Sequence, residues 1–423
     1  MLEVEGGTVR SVAWSEICPW LGLFRVFRLA ISLRVLVFGA AGIALTLAGW
    51  WALGQVFSGN EQAKALSKAI ASDAPWTVVA DGAPSWPASA KTILEHPVDP
   101  VFGTWVRLSQ PVWAILTRPR LAVAPLAYLV LSALWTLAVW ALAGGAISRI
   151  AAVQLTSDER VGWGAALRFA SSKWLSYFAA PLFPLLGIIL LAIPLAILGL
   201  LMRTSGGLLL VGLIWPLLLA AGLIMALLLL GLVFGWPLIW ATISTEGTDT
   251  FDALSRSYAY VFQRPLRYLF YAIVAAVLGW LGWLLVQNFA AAVIWLTYWA
   301  AGWGAAGDRI DLIRGIKIAD VKDLAGISYA GGAMIRFWVG CVQFLAAGYF
   351  YGYFFTAASA MYLLLRRDVD ATEMDEVFLD ADQGEQTKEP ASVESEANGT
   401  PATDEAIASA KADPAGNSDN TPA

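Results

Sequence analysis

Charged residues are scarce in this chain of 423 residues, where they make up 14% of the total. A soluble domain carries about 25% charged residues, so this composition argues against a soluble fold. Cutting the chain at every charged residue leaves six uncharged windows of 26 residues or more, and a helix needs about 20 apolar residues to cross a bilayer. The sequence therefore predicts an all-α, polytopic membrane protein with six transmembrane helices. The windows are Val35–Asn60, Leu121–Ser148, Trp174–Met202, Thr204–Thr245, Tyr268–Gly307 and Phe337–Leu365.

Residues that bind metals or perform catalysis are equally scarce. The chain has one histidine, His96, and two cysteines, Cys18 before the first window and Cys341 inside the last. This inventory argues against a disulfide framework and against a His/Cys metal site. No phosphate-binding Gly-Lys-Ser/Thr loop occurs in the sequence, and no charge lies inside the six windows. We therefore expect no catalytic residues, no cofactor, no metal, no enzymatic activity and no nucleic-acid partner.

The charges that are present divide the chain into two parts. From Asp368 onward there are 15 acidic residues and 2 lysines, a net charge of −13, and the remainder has 25 basic and 17 acidic residues, a net charge of +8. The sequence thus predicts a six-span membrane domain over residues 1–367 and an acidic, mostly disordered cytoplasmic tail over 368–423, whose composition buries too little apolar surface to fold. The basic body suits anionic lipid headgroups as partners.

Three stretches before the odd-numbered spans share an apolar stripe spaced 3, 4 and 4 residues, which is typical of one face of a helix. The clearest is Thr250–Arg267, where Asp249 or Thr250 can cap the helix and Pro265 marks its end. We interpret the three as amphipathic elbow helices in the headgroup region on the cytoplasmic side. Their stripes are Trp20, Leu23, Phe27 and Ile31; Trp163, Ala166, Ala170 and Trp174; and Phe251, Leu254, Tyr258 and Phe262.

The three elbows align without gaps, which suggests a threefold repeat of one elbow followed by two spans. The units would cover residues 11–148, 157–243 and 249–365. The alternative is that amphipathic segments often precede transmembrane spans and that the alignment is due to chance. Each elbow carries an arginine at the same position. Together with two further arginines near span ends, these are candidate headgroup contacts: Arg25, Arg168, Arg256, Arg264 and Arg336.

Orientation follows from the basic residues near the span ends. The short elbow segments are consistently basic, so the positive-inside rule favours the cytoplasmic (inner) membrane with both termini cytoplasmic. Residues 101 to 118 and 308 to 332 are expected to lie on the membrane surface. The two longest windows, of 42 and 40 residues, are expected to bend, with Pro216 and Pro237 as candidate positions in the fourth.

The strongest polar groups within the windows are Gln287, Asn288 and Gln343. Two interpretations stand: Asn288 and Gln343 hydrogen-bond between helices, or the three residues line a path for a polar substrate. The aromatic run 349–355 is interpreted as packing against lipid or helices.

The third elbow, Ala253-Leu-Ser-Arg-Ser-Tyr followed by Arg264-Pro-Leu-Arg before a long span, resembles a class of bacterial multi-pass membrane proteins without an assigned activity. That class is similar to the membrane-anchor domain found beside some glycerophosphodiester phosphodiesterases. The resemblance covers elbows and spans, about residues 11 to 367. It implies a membrane domain and no active-site residues, because this chain lacks the soluble catalytic barrel of those enzymes.

These observations favour a non-enzymatic scaffold or lipid-associated assembly factor. The alternative is a permease or lipid-handling transporter with a polar path near Gln287, Asn288 and Gln343. The acidic segment Asp368–Asp380 includes apolar side chains and could dock on a protein partner or on the chain's own basic elbows, at Arg168, Lys173, Arg256 and Arg264. The alternative for the segment is a solvated, disordered end.

Overall fold

Helices account for nearly all of the chain that the computed structural model describes, which is residues 18–72, 99–117, 122–305, 327–372 and 377–378. No strand occurs in those ranges. A short 3₁₀ turn at Pro19–Gly22 and a π-helical turn at Asp99–Gly103 complete the secondary structure of these ranges. The α-helices of the described ranges are α1 Leu23–Ala30, α2 Leu33–Val56, α3 Glu61–Ser72, α4 Thr104–Thr117, α5 Val123–Thr156, α6 Trp163–Ser172, α7 Trp174–Leu201, α8 Ser205–Leu213, α9 Trp215–Glu246, α10 Thr250–Gln263, α11 Pro265–Gly302 and α12 Ile327–Asp370.

Six of these helices, α2, α5, α7, α9, α11 and α12, are long and apolar enough to cross a membrane, as the six windows predicted. The fourth window divides at Ile214 into α8 and α9, and Pro216 stands in the first turn of α9, where its missing N–H is not needed. The fifth window forms one continuous helix of 38 residues, α11. Residues 308 to 326 of the predicted surface segment lie outside the described residues.

One or two residues separate each of α1, α6 and α10 from the long helix that follows it. Asp249 caps α10, because its Oδ1 accepts a hydrogen bond from the backbone N–H of Asp252 at 3.0 Å. In α1 and α6 the predicted stripe packs on the bundle, where Leu23 and Ala166 are fully buried, but in α10 the packed face is a different one. In α10 the buried side chains include Ala253 and Ser257, whereas Phe251 is 66% exposed. The predicted stripe therefore marks a packed face in α1 and α6, whereas α10 buries the face beside its stripe.

All three short helices lie at one end of the set of long helices, which we call the elbow end. The last turns of α5, α9 and α12 are there too, since Arg25 of α1 bonds the carbonyl of Leu155 and Arg366 of α12 pairs with Glu246 of α9. The opposite end we call the far end. Successive long helices run in opposite directions, so the starts of α2, α7 and α11 and the ends of α5, α9 and α12 lie on the same side of the bundle.

The centre of the bundle is α12, which packs against α2, α5, α9 and α11. The aromatic run 349–355 is buried there, as the packing interpretation expected. Tyr349 and Tyr353 donate their hydroxyls to the carbonyls of Gly279 and Ala275 in α11, at 3.2 and 2.7 Å. Aromatic bulk and tyrosine hydroxyls thus join α12 to α11.

Small residues set the distance between α12 and α2. A Cβ added at Gly348 would lie 2.5 Å from the carbonyl oxygen of Leu36 and 2.9 Å from the backbone nitrogen of Ala40. We expect Gly348→Ala to force the two helices apart and to cost about 1–3 kcal/mol of folding free energy. Thermal unfolding in detergent would measure the loss. Gly340→Ala on the same helix is the matched control, because nothing lies within 4 Å of its added Cβ. An equal loss in both variants would contradict this account.

The segment 99–117 is the main departure from the sequence-based expectation of a surface location. Val101 is 6% exposed and Thr104 is fully buried. The indole Nε1 of Trp105 donates to the carbonyl of Val233 at 3.0 Å, and the guanidinium of Arg107 lies 5.4 Å from the centre of the Phe350 ring. Val233 precedes the elbow-end residue Glu246 by 13 positions, about 20 Å of helix. The segment therefore reaches midway along the long helices, and α4 runs from there toward the far end, where α5 begins.

Candidate functional site

Arg25 and Arg256, which are candidate headgroup arginines, form ion pairs within the protein. Arg25 forms an ion pair with Asp158, in the connection between α5 and α6. Arg256 lies 2.8 Å from Glu246 and 3.1 Å from Asp252. Both guanidinium groups therefore already have carboxylate partners and join elements at the elbow end.

The other three candidate arginines have different surroundings. Arg168 and Arg264 are exposed at the elbow end, where cations suit anionic headgroups. Arg336 is half-buried in the far-end part of α12. The structure does not bring the five arginines together into one site.

The three intramembrane polar candidates are half-buried on α11 and α12. The Nδ2 of Asn288 donates to the carbonyl of Leu284 at 2.8 Å, one turn back in its own helix. Gln287, Asn288 and Gln343 do not line the cavity described below.

A carboxylate that the sequence did not single out organises the elbow end. Glu246, whose side chain is 11% exposed, accepts a hydrogen bond from the hydroxyl of Tyr362 and pairs with Arg256 at 2.8 Å and Arg366 at 3.4 Å. The Arg366 side chain is itself only 12% exposed. One carboxylate thus joins the ends of α9, α10 and α12.

The first acidic residues of the predicted tail belong to the last turn of α12. Asp368 lies 2.7 Å from Arg267 and accepts a hydrogen bond from Tyr271 at 2.9 Å, and Asp370 accepts one from Tyr260. Burial raises the pKa of Tyr260, and the Asp370 carboxylate raises it further, so this hydroxyl remains a neutral donor. These contacts join the start of the acidic segment to α10 and α11. Its arginine partner is Arg267, which the docking hypothesis had not named.

A short apolar piece of the acidic segment also contacts the elbow end. The backbone N–H of Phe378 donates to the carbonyl of Thr245 at 2.8 Å, and Val377 packs against the main core. The Phe378 ring covers Gly247, where an added Cβ would lie 2.6 Å from it. Gly247 has a φ of +64°, the left-handed conformation that ends many helices. The compact unit of the chain accordingly runs to Phe378, and residues 379–423 lie outside the described residues.

We expect Gly247→Asn to displace Phe378 with less backbone strain than most side chains would cause, because asparagine tolerates the left-handed region better than they do, while its Cβ collides with the ring. Tryptic cleavage after Arg367 should then be severalfold faster in detergent. Gly164→Ala, where nothing lies within 4 Å of the added Cβ, should leave the rate unchanged. Unchanged cleavage in the Gly247 variant would show that Phe378 does not hold the segment.

A buried cation lies where α5 meets α6 and α9. Arg149 is fully buried, its guanidinium lies 4.1 Å from the centre of the Phe169 ring, and it donates to the carbonyl of Ser244 at 2.9 Å. The hydroxyls of Ser244 and Tyr177 share a further hydrogen bond of 2.8 Å. The second uncharged window ends at Ser148, directly before Arg149, but α5 continues to Thr156 and Arg149 is buried within it.

Two prolines within the long helices each leave a backbone carbonyl without its usual helical donor, because proline has no N–H. The carbonyl of Val233, four residues before Pro237, accepts the indole N–H of Trp105. The carbonyl of Tyr177, four residues before Pro181, accepts the indole N–H of Trp240 at 2.9 Å. Neighbouring helices therefore supply the missing donors, as irregular backbone at membrane depth requires.

The same two tryptophans line a cavity of about 170 Å³ that lies between α4, α5, α7 and α9. Its lining is almost wholly apolar, and only Ser109 and Thr136 contribute hydroxyls. Along α9 the lining begins at Leu229 and ends at Trp240, which are 17 and 6 residues before Glu246, or about 26 and 9 Å. The cavity therefore lies at membrane depth. The tryptophans that line it are Trp105, Trp113, Trp140, Trp236 and Trp240.

The sequence predicted a surface location for the segment that contains Trp105 and Trp113, and a bend at Pro237. No local signal in the sequence connects Trp105 with a carbonyl 128 residues away. Chemically, the cavity can hold an apolar group and offers no ionisable side chain among its lining residues. Comparisons with protein-family models, with curated proteins and with solved structures found no match to this chain.

Proposed function

We propose that this chain is a non-enzymatic, lipid-associated protein of the cytoplasmic membrane that holds the end of a lipid acyl chain between its helices. The observation that carries the proposal is the apolar cavity of about 170 Å³ at membrane depth. An engineered apolar cavity of similar size, about 150 Å³, stays dry and binds benzene. The cavity therefore suits one small hydrocarbon group rather than a whole lipid.

The free energy of the empty cavity favours an occupant. Leaving it empty costs the dispersion contacts that its apolar lining would make with an occupant. Water does not relieve that cost, because the two lining hydroxyls already bond to protein. Ser109 donates to the carbonyl of Trp105 at 2.8 Å, and Thr136 donates to the carbonyl of Ser132 at 2.8 Å. Acyl chains are the surrounding solvent at this depth, so they are the natural occupant.

The proposal also includes the orientation of the helices, which the positive-inside rule favours, and a role for the exposed arginines at the elbow end. Both termini are placed in the cytoplasm, so the elbow end faces the cytoplasm and its exposed arginines, Arg168 and Arg264, meet anionic headgroups. Two exposed aromatic side chains on the short helices support this placement, since Phe251 and Trp163 are uncovered for lipid. A reporter that is active only outside the cytoplasm should then be active when fused after residue 205 and inactive when fused after residue 165.

Photolabelling tests the proposed function. The full-length protein is reconstituted in nanodiscs with a phospholipid that carries a diazirine at the end of one acyl chain, and adducts are mapped by peptide mass spectrometry. We expect adducts on Leu137 and Trp236, which line the cavity. Ala133→Phe fills the cavity from α5 and should abolish them. Leu131→Phe is the matched control, because Leu131 is 44% exposed on the same helix and lies outside the cavity.

Adducts confined to the uncovered surface, for example to Leu209 at 79% and Leu213 at 80% exposure, would overturn the proposal. Cavity adducts that survive Ala133→Phe would overturn it as well, because the probe would then not be reading the cavity.

A further inference from the structure

The cavity is closed at its elbow end by two buried tryptophans. Trp140 is 2% exposed and Trp240 is 1% exposed. The Phe355 ring stacks on both, with centroid distances of 5.7 and 5.4 Å. One turn beyond Trp140, a Cβ added at Gly144 would lie 2.7 Å from Phe355 and 2.8 Å from Trp240. We call this closed end, formed by Trp140 and Trp240, the floor of the cavity. Nothing as large as a methyl group fits past it.

The opposite, far-end side of the lining is less buried than these two tryptophans. Trp113 on α4 is 39% exposed, and Ala133 on α5 and Leu229 on α9 are half-buried. All three lie on the far-end side of the lining, whereas the closing tryptophans lie on the elbow-end side. A chain can therefore reach the cavity from the far end of the bundle and stop at the floor.

The depth of the floor matches the end of an acyl chain. Trp240 precedes Glu246 by 6 residues and Trp140 precedes Arg149 by 9, so the floor lies about 9–14 Å along the helices from these elbow-end charges. Half the hydrocarbon thickness of a bilayer is about 15 Å. A lipid in the leaflet at the far end thus has its chain terminus at about the level of the floor.

We infer that Trp140 and Trp240 act as a ruler that sets the length of the acyl chain held in the cavity, and that this chain comes from the leaflet at the far end. The inference rests on the proposed function. Within a bilayer, lipid tails are as apolar as the protein, so a longer chain gains nothing from burial itself. Selection arises from fit: a short chain leaves the floor uncovered, and a long chain has to fold back against it.

The test uses the same full-length protein in vesicles with a series of terminal-diazirine phospholipids of increasing chain length. Adducts on Trp140 and Trp240 should peak at one length, and shorter chains should label residues nearer the opening, such as Leu229. Trp140→Leu deepens the floor and should move the peak to a longer chain. Leu137→Phe raises the floor and should move it to a shorter chain, so either variant decides the question if the other fails to fold.

Trp299→Leu, on the far-end part of α11 and 48% exposed, is the control and should leave the peak in place. Probe lipid confined to one leaflet should label the floor only from the far-end leaflet.

Cavity adducts that show the same pattern at every chain length, or a peak that neither floor variant moves, would overturn the ruler while leaving the proposed function standing. Labelling from the elbow-end leaflet would overturn the assigned direction. Absence of cavity adducts at any length would overturn the proposed function itself.

Discussion

Replacing Trp240 with phenylalanine is expected to destabilise the protein by about 2 kcal/mol. The indole N–H of Trp240 is the donor to the Tyr177 carbonyl that Pro181 leaves without a helical partner. Phenylalanine keeps most of the ring packing against Phe355 but leaves that buried carbonyl unsatisfied, which costs about 1–3 kcal/mol. Equilibrium unfolding in mixed micelles would give the difference.

The physical reason can be isolated with a double-mutant cycle. Pro181→Ala restores an N–H four residues after Tyr177, so the helix supplies its own donor. In that background Trp240→Phe should cost less than about 1 kcal/mol, so the coupling energy between the two positions should exceed about 1 kcal/mol. If Trp240→Phe costs the same with alanine at position 181, the indole contributes packing alone and the account of the orphaned carbonyl is wrong.

Glu246→Ala is expected to have the largest effect of any single change at the elbow end. Arg366, with 12% of its side chain exposed, would lose its carboxylate partner, and Tyr362 would lose its acceptor. Removing one partner of a buried ion pair costs about 3–5 kcal/mol. We expect the lower part of that range, about 3 kcal/mol, because Arg256 is 42% exposed and keeps Asp252.

Asp252→Asn provides the comparison for Glu246, because it removes a carboxylate from the same guanidinium at an exposed position. Its side chain is 43% exposed, so the loss should be within about 1 kcal/mol. Thermal unfolding followed by size-exclusion chromatography would rank the two variants. Equal losses would mean that burial does not distinguish the two carboxylates.

The sequence by itself determined the number and the approximate limits of the long helices. Charge is so costly at membrane depth that six uncharged windows predict six spanning-length helices, and each window contributes one such helix to the structure. It also placed the short helices before α2, α7 and α11, with Asp249 as a cap, because capping and apolar spacing are local signals. The aromatic run of α12 was likewise interpreted as packing from composition alone.

Only the tertiary structure decided what each helix packs against. Hydropathy cannot distinguish a side chain that faces lipid from one that faces another helix, so the buried face of α10 differed from its predicted stripe. The enclosure of Arg149 by Phe169 and the pairing of Glu246 with Arg366 depend on elements far apart in the chain. The descent of Trp105 to the Val233 carbonyl and the cavity closed by Trp140 and Trp240 have the same origin. Such contacts arise where packed helices place a donor beside an unmet acceptor or leave a space between them, and no one-dimensional pattern encodes either.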